Sequence, residues 1–173
     1  MQTPMETVLE IFREAELDFT LSDDNLRVYS RTAGDNGEWG FVVVICEERD
    51  MWFVMSSIPI RCPKGRRNRC AELLTRINNE LSAGSFSMDM DLGEISFRVC
   101  YPLVEGQVDP DAFRVFLGFV RACTDRFTPA ILSVMYGSVT PKQALAGALR
   151  HRNAKKPRKR AKPTGLQQRF LNN

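Results

Sequence analysis

Asp89 and Asp91 stand two residues apart in an alternating segment, so both carboxylates would share one face of a strand. Paired carboxylates can exchange a proton with a substrate or hold a divalent cation. Their neighbours on that face are Ser85 and Ser87, and nothing else converges there, so a solvated strand face is the plainer reading. Cys62 lies among Arg61, Lys64, Arg66, Arg67 and Arg69, just ahead of a helical stripe. Nearby cations and a helix N-terminus both lower a thiol pKa, which would suit a redox-sensitive thiol, although no base stands near it. The same five cations face the positive end of the helix dipole, each at a cost of ~0.3–1 kcal/mol at low salt. An anion such as an acidic peptide or a phosphate would offset that cost, and so would acids closing on the patch in the fold.

Other chemistry is excluded by composition. His151 is the only histidine, which removes Ser-His-Asp triads, Cys-His pairs with a core histidine and most zinc sites. Neither GxGxxG nor GxxxxGK[ST] occurs, so nucleotide hydrolysis and dinucleotide chemistry are disfavoured. The five cysteines are odd in number, with no CxxC, and predict reduced thiols in the cytoplasm, with Cys46, Cys70 and Cys123 as small core residues. Glu6, Glu10, Glu14 and Glu16 argue against a signal peptide, and no apolar run is long enough to span a membrane. No cofactor, metal or catalytic residue is expected, and the function has to be sought on surfaces.

The net charge of +3 conceals a split. Residues 1–137 carry 14 Lys/Arg against 21 Asp/Glu, whereas residues 138–173 carry ten Lys/Arg and no acid. The chain reads as an acidic α+β domain over residues 1–150 with a basic tail over 151–173. Lys155, Lys156, Arg158, Lys159, Arg160 and Lys162 repel one another, and Pro157 and Pro163 block a helix, which predicts disorder. Such an arm could contact nucleic acid weakly and without sequence preference, with a log–log salt slope of about −5 if all six cations met phosphates. It could equally bind an acidic partner or stay solvated. Leu166, Phe170 and Leu171 form an apolar island beyond it, with Leu166 and Phe170 one helical turn apart, as in a docking peptide.

The elements that must position these residues follow from periodicity. Thr3-Pro4-Met5-Glu6 has the capping-box spacing, and Met5, Val8, Leu9 and Phe12 extend it as a helix over 4–16. Residues 26–30 alternate as a strand, and Gly34-Asp35-Asn36-Gly37 is a turn. Residues 39–46 hold an unbroken apolar run from Phe41 to Ile45, which predicts a central strand covered on both faces. A third strand follows over 51–57. Cys70, Leu73, Leu74, Ile77 and Leu81 mark a helix over 64–83, ended by Gly84. Phe86, Met88 and Met90, then Ile95, Phe97, Val99 and Tyr101, alternate as a hairpin turning at Leu92-Gly93. Asp109-Pro110 opens a third helix with the stripe Phe113, Phe116, Leu117, Val120, Cys123 and Phe127, and Pro129 must kink or restart it. The order α-β-β-β-α-β-β-α predicts an α+β fold, an antiparallel sheet flanked by helices.

Within these elements, Leu73-Leu74-Thr75-Arg76-Ile77-Asn78, Gly84-Ser85-Phe86-Ser87-Met88-Asp89, Gly93-Glu94-Ile95, Asp125-Arg126-Phe127-Thr128-Pro129-Ala130-Ile131 through Tyr136-Gly137, and Pro141 with Ala144-Leu145 come in a telling order. Over roughly residues 25–147 the chain resembles the YbjN-domain family, also called bacterial sensory transduction regulators. The resemblance implies a twisted antiparallel sheet with the fold of type III secretion chaperones. It also implies a homodimer in a bacterial cytoplasm and a non-enzymatic protein-binding module linked to regulation or stress. It carries over no catalytic residue. The cationic start of the second helix and the tail depart from the family's pattern. Val115, Phe119 and Ala122 make the third helix apolar off its main stripe, which agrees with a dimer.

Overall fold

The structure is a computed structural model and describes residues 2–155. Its elements are α1 (Pro4–Glu14), β1 (Phe19–Leu21), β2 (Arg27–Gly34), β3 (Gly37–Cys46), β4 (Met51–Ser57), α2 (Arg67–Asn78), β5 (Ser85–Met88), β6 (Ile95–Pro102), α3 (Pro110–Tyr136) and α4 (Pro141–Lys155). The strands form one antiparallel sheet in the order β1-β2-β3-β4-β6-β5. This is the expected α+β class with two additions. Strand β1 has three residues, too few to show alternation. Helix α4 opens on Thr140, whose backbone N–H donates to Gln143 Oε1 at 3.0 Å while Gln143 N–H donates to Thr140 Oγ1 at 3.3 Å. Thr-Pro-Lys-Gln is the same start signal that Thr-Pro-Met-Glu gives α1, where Thr3 N–H donates to Glu6 at 2.6 Å and Glu6 N–H to Thr3 Oγ1 at 3.2 Å.

Helices α1, α2 and α3 pack on one side of the sheet, and α4 packs on α2 and α3. The core between them holds Phe12, Trp52, Phe97, Phe113 and Phe127, all fully buried. The Trp52 and Phe113 rings lie 5.2 Å apart and those of Phe86 and Phe97 4.7 Å apart. A buried polar chain crosses this interface. Ser56 and Thr124 hydroxyls hydrogen-bond, Trp39 Nε1 donates to Thr128 Oγ1 at 3.3 Å, and Thr128 Oγ1 donates to the Thr124 carbonyl at 2.7 Å. In a low-dielectric interior such directional bonds fix how α3 is rotated on the sheet.

Pro129, expected to kink or restart α3, sits inside a helix that runs through from Pro110 to Tyr136. A proline has no N–H to give the carbonyl four residues back, here that of Asp125. Asn36 Nδ2 donates to that carbonyl at 3.1 Å, and Asn36 N–H donates to Asp125 Oδ1 at 2.8 Å. The β2–β3 turn therefore docks where the proline leaves an acceptor open.

The second helix is shorter than expected. A 3-10 turn covers Lys64–Arg66 and α2 ends at Asn78, well before Gly84. Asn78 Nδ2 donates to the Phe86 carbonyl at 3.0 Å and its Oδ1 accepts from Phe86 N–H at 2.8 Å. The side-chain amide thus fills the outward backbone positions of β5, where another strand would otherwise pair. The β5–β6 hairpin also differs. Strand β5 stops at Met88, and Asp89 folds the next residues into a loop by accepting from Asp91 N–H at 2.8 Å and Leu92 N–H at 2.7 Å. Met90, expected to alternate inward, is consequently 47% exposed.

Candidate functional site

The segments Phe41–Ile45 and 51–55 are apolar at both parities, so burying one parity leaves the other parity apolar as well. Phe41, Val43, Ile45, Trp52 and Val54 lie in the core. Val42, Val44, Met51, Phe53 and Met55 lie on the opposite face and are only half-buried. This corrects the expectation that β3 is covered on both faces. The helices of the described chain pack on one side, and the other side of the sheet is open. Cys46 shares that open face and is half-buried rather than a core residue.

Strand register arranges the open face in rows. Thr20, Tyr29, Val42, Met55 and Arg98 are successive cross-strand partners, and Arg27, Val44, Phe53 and Cys100 form the next row. Partners directly opposite come within ~4.5–5.5 Å, so the apolar members make a continuous floor. Tyr29 is 48% exposed. Two exposed guanidiniums border the floor. Arg31 stands opposite Gly40, and Arg98 lies 5.8 Å from the Phe53 ring centroid. Neither takes part in an ion pair among the described residues, whereas Arg27 is paired with Asp24 at 2.5 Å.

The loop after α1 turns this face into a trough. Glu16 and Asp18 stand on one wall, Tyr29, Val42 and Met55 form the floor, and the cavity is about 840 Å³. A second cleft of about 530 Å³, reaching Asp89 and Glu94, adjoins it at Met55 and Ser57. Volumes of this size accommodate several side chains of a bound segment.

The residues singled out by type lie elsewhere. Arg61 pairs with Glu94 at 2.6 Å. Arg67 donates to the carbonyls of Cys62, Met90 and Asp91 at 3.3, 2.8 and 2.7 Å, which ties the β5–β6 loop to the start of α2. Arg69 donates to the Val139 carbonyl at 2.9 Å. Lys64 is exposed and Arg66 half-buried. Asp89 is held by its loop, and Asp91 is exposed beside it. Past Lys155, the last residue of α4, the candidates Lys156, Arg158, Lys159, Arg160, Lys162, Leu166, Phe170 and Leu171 lie outside the described residues.

The N–H groups of Leu92 and Asp91 hold the Asp89 carboxyl below its ordinary value of 3.8. A carboxyl lowered by folding stabilises the fold above its unfolded pKa, and the stabilisation fades as pH falls through the folded value. The stability gap between the wild type and Asp89→Ala should therefore be constant above about pH 5 and shrink below about pH 4. Urea titrations across that range check it.

Cys62 is buried and its thiol meets that of Cys70, which burial and this contact push up to about 12. Burial likewise raises the Cys123 thiol to about 11. Cys100 is exposed on the open face. Iodoacetamide at pH 8 should therefore label Cys100 first and leave Cys62, Cys70 and Cys123 unmodified until the protein unfolds. Peptide mapping against time reads the order, and early labelling of Cys62 would contradict it.

No curated protein matches this sequence. Among solved structures, YbjN from E. coli, described as "a putative transcription regulator", superposes with a TM-score of 0.57 at 10% identity over 72% of this chain and 88% of that one. The ExsC-ExsE complex gives a TM-score of 0.44 at 11% identity, over 68% of this chain and 85% of the matched chain. The first likeness places the sheet and helices in a known fold. The family model described as "Putative bacterial sensory transduction regulator" matches residues 4–133, from the start of α1 into the last turn of α3, and the chain belongs to that YbjN family.

Proposed function

We propose that this protein is a non-enzymatic protein-binding module, chaperone-like or regulatory, that works in the cytoplasm and holds its partner on the open face of the sheet. One observation carries the reading: five large apolar side chains of β3 and β4 project to the side that no described element covers. An antiparallel sheet with one wet face ordinarily presents polar residues there. Exposed contiguous apolar surface rimmed by polar residues marks interaction sites.

Selection from a library of displayed 12-residue peptides tests this. The wild type should enrich sequences with large apolar residues, and the double variant Val42→Thr, Met55→Thr should lose that enrichment at least tenfold. Threonine suits a strand, so the variant should keep the wild-type circular dichroism spectrum. No enrichment by the wild type would overturn the reading. A homodimer completes it. Val115, 67% exposed on α3, supplies apolar surface for pairing, and a solution mass near 20 kDa by light scattering would remove this part.

A further inference from the structure

We infer that the open face is covered in cis by the basic segment Lys162 to Leu171 of this same chain, so that an outside partner must displace it; this rests on the protein-binding reading above and adds the regulation of that surface. The face has a furrow suited to an extended chain. Arg31, Gly40, Ser57, Ser96 and Ser87 are successive cross-strand partners. Beyond Arg31 that row holds only small side chains, and the row of Tyr29, Val42 and Met55 stands beside it. Both cavities open on the furrow, the trough at Gly40 and Ser57 and the cleft at Ser57, Ser96 and Ser87. An added Cβ on Gly40 would find its nearest atom, the Ser30 carbonyl oxygen, at 4.0 Å, so the furrow is unfilled there.

Charge at the two ends chooses the occupant. Glu16 and Asp18 stand against Arg31 in the trough, and Asp89 and Glu94 against Arg61 in the cleft. Each end thus has two acids to one arginine, and Arg61 is already bound to Glu94 at 2.6 Å. A second copy repeats the same excess of acid, and a nucleic-acid strand adds phosphates to it. The residues after Lys155 hold six cations and no acid, with Leu166, Phe170 and Leu171 among them. Lys162, Leu166 and Phe170 recur every four residues, so an extended chain sets all three on one side, ~13 Å apart in succession. Asp18 precedes β1 at one edge of the sheet and Asp89 follows β5 at the other, five strand steps or ~24 Å away. With Lys162 at the Asp89 edge, Leu166 falls on the floor at Val42 and Met55. Phe170 then comes to the β1 edge near Tyr29, and Arg169 to the wall of Glu16 and Asp18. The connection is long enough. Helix α4 packs on α2 and α2 on β5, so α4 stands two layers, ~20 Å, behind that edge. The stretch from Lys155 to Lys162 spans up to ~25 Å.

The test uses the full chain and a fluorescein-labelled peptide of residues 160–173, with a scrambled peptide of the same composition as control. A tethered segment acts at an effective concentration of ~1 mM, so a segment that binds at ~100 μM when free should weaken a second copy of itself about tenfold. Anisotropy at low salt should therefore show the full-chain variant Leu166→Ser, Phe170→Ser binding the peptide about tenfold more tightly than the wild type, and the scrambled peptide binding neither. Adding Gly40→Leu to that variant should abolish binding by filling the furrow, with Glu16→Lys, Asp18→Lys as the second blocking change should Gly40→Leu fail to fold. Equal binding by the wild type and the tail variant, or binding that neither blocking change weakens, would overturn the proposal. No binding of the 160–173 peptide while displayed peptides still enrich would overturn the cis cover and leave the protein-binding reading standing. Failure of both would overturn both. A wild-type solution mass of twice 19.7 kDa that falls to the single-chain value in Leu166→Ser, Phe170→Ser would put the segment on a second copy and overturn the proposal.

Discussion

Gly93→Ala should lower stability by about 3 kcal/mol, with a melting midpoint about 10 °C below that of the wild type. Gly93 closes the β5–β6 loop with φ +77, a left-handed conformation that costs an L-residue roughly 1–2 kcal/mol. Its surroundings make the change worse. A Cβ at this position would press on the Cys62 carbonyl oxygen far inside van der Waals contact. That contact cannot relax freely, because Cys62 N–H donates to the Gly93 carbonyl at 2.7 Å and Arg67 Nε donates to the Cys62 carbonyl at 3.3 Å. The loop, the segment before α2 and Arg67 form one unit, so the strain spreads to the start of α2. Thermal unfolding followed at 222 nm reads the shift. A midpoint within 3 °C of the wild type would mean that the loop can reopen without disturbing Cys62.

Phe127→Ala should cost still more, about 4 kcal/mol, within the range for removing a buried ring. Phe127 is fully buried in α3, its ring 5.9 Å from that of Phe86 in an edge-on arrangement. The Arg126 guanidinium lies 4.7 Å from the Phe127 centroid. Truncation opens a cavity where α3 meets the β5–β6 end of the sheet and strips that guanidinium of its aromatic partner. Domain stabilities run to about 5–15 kcal/mol, so one substitution would consume a large part of the total. Urea denaturation should give a lower midpoint with an unchanged slope. A loss below 1 kcal/mol would show that neighbouring side chains collapse into the space.

Phe127 and Gly93 are both legible in the sequence, one from a helical stripe and the other from a glycine between two alternating runs. So are the capping box of α1, the cap of α3 and the α+β class, because these depend on neighbours close in the chain. Strand β1 is not legible: three residues hold no period, and pairing with β2 makes them a strand. The end of α2 depends on Asn78 reaching Phe86, a contact between two elements. The passage of α3 through Pro129 depends on Asn36, distant in sequence, meeting the Asp125 carbonyl.

The candidate site was half legible for a related reason. The doubly apolar runs in β3 and β4 are plain in the sequence, but an apolar strand face reads the same whether a neighbouring element or an outside partner is meant to cover it. The cations before α2 stand out by their density, yet three of the five are engaged by Glu94 and by backbone carbonyls. Arg31 and Arg98, single cations in ordinary strands, carry no such signal. Only the sheet register sets them on either side of the same floor.

Met51 and Met55 give that floor a particular mechanical character. Their unbranched thioethers have more rotatable bonds than valine or isoleucine and reshape at little energetic cost. A surface of this kind can mould itself to apolar groups of differing shape, where a floor of valine and isoleucine would hold one contour.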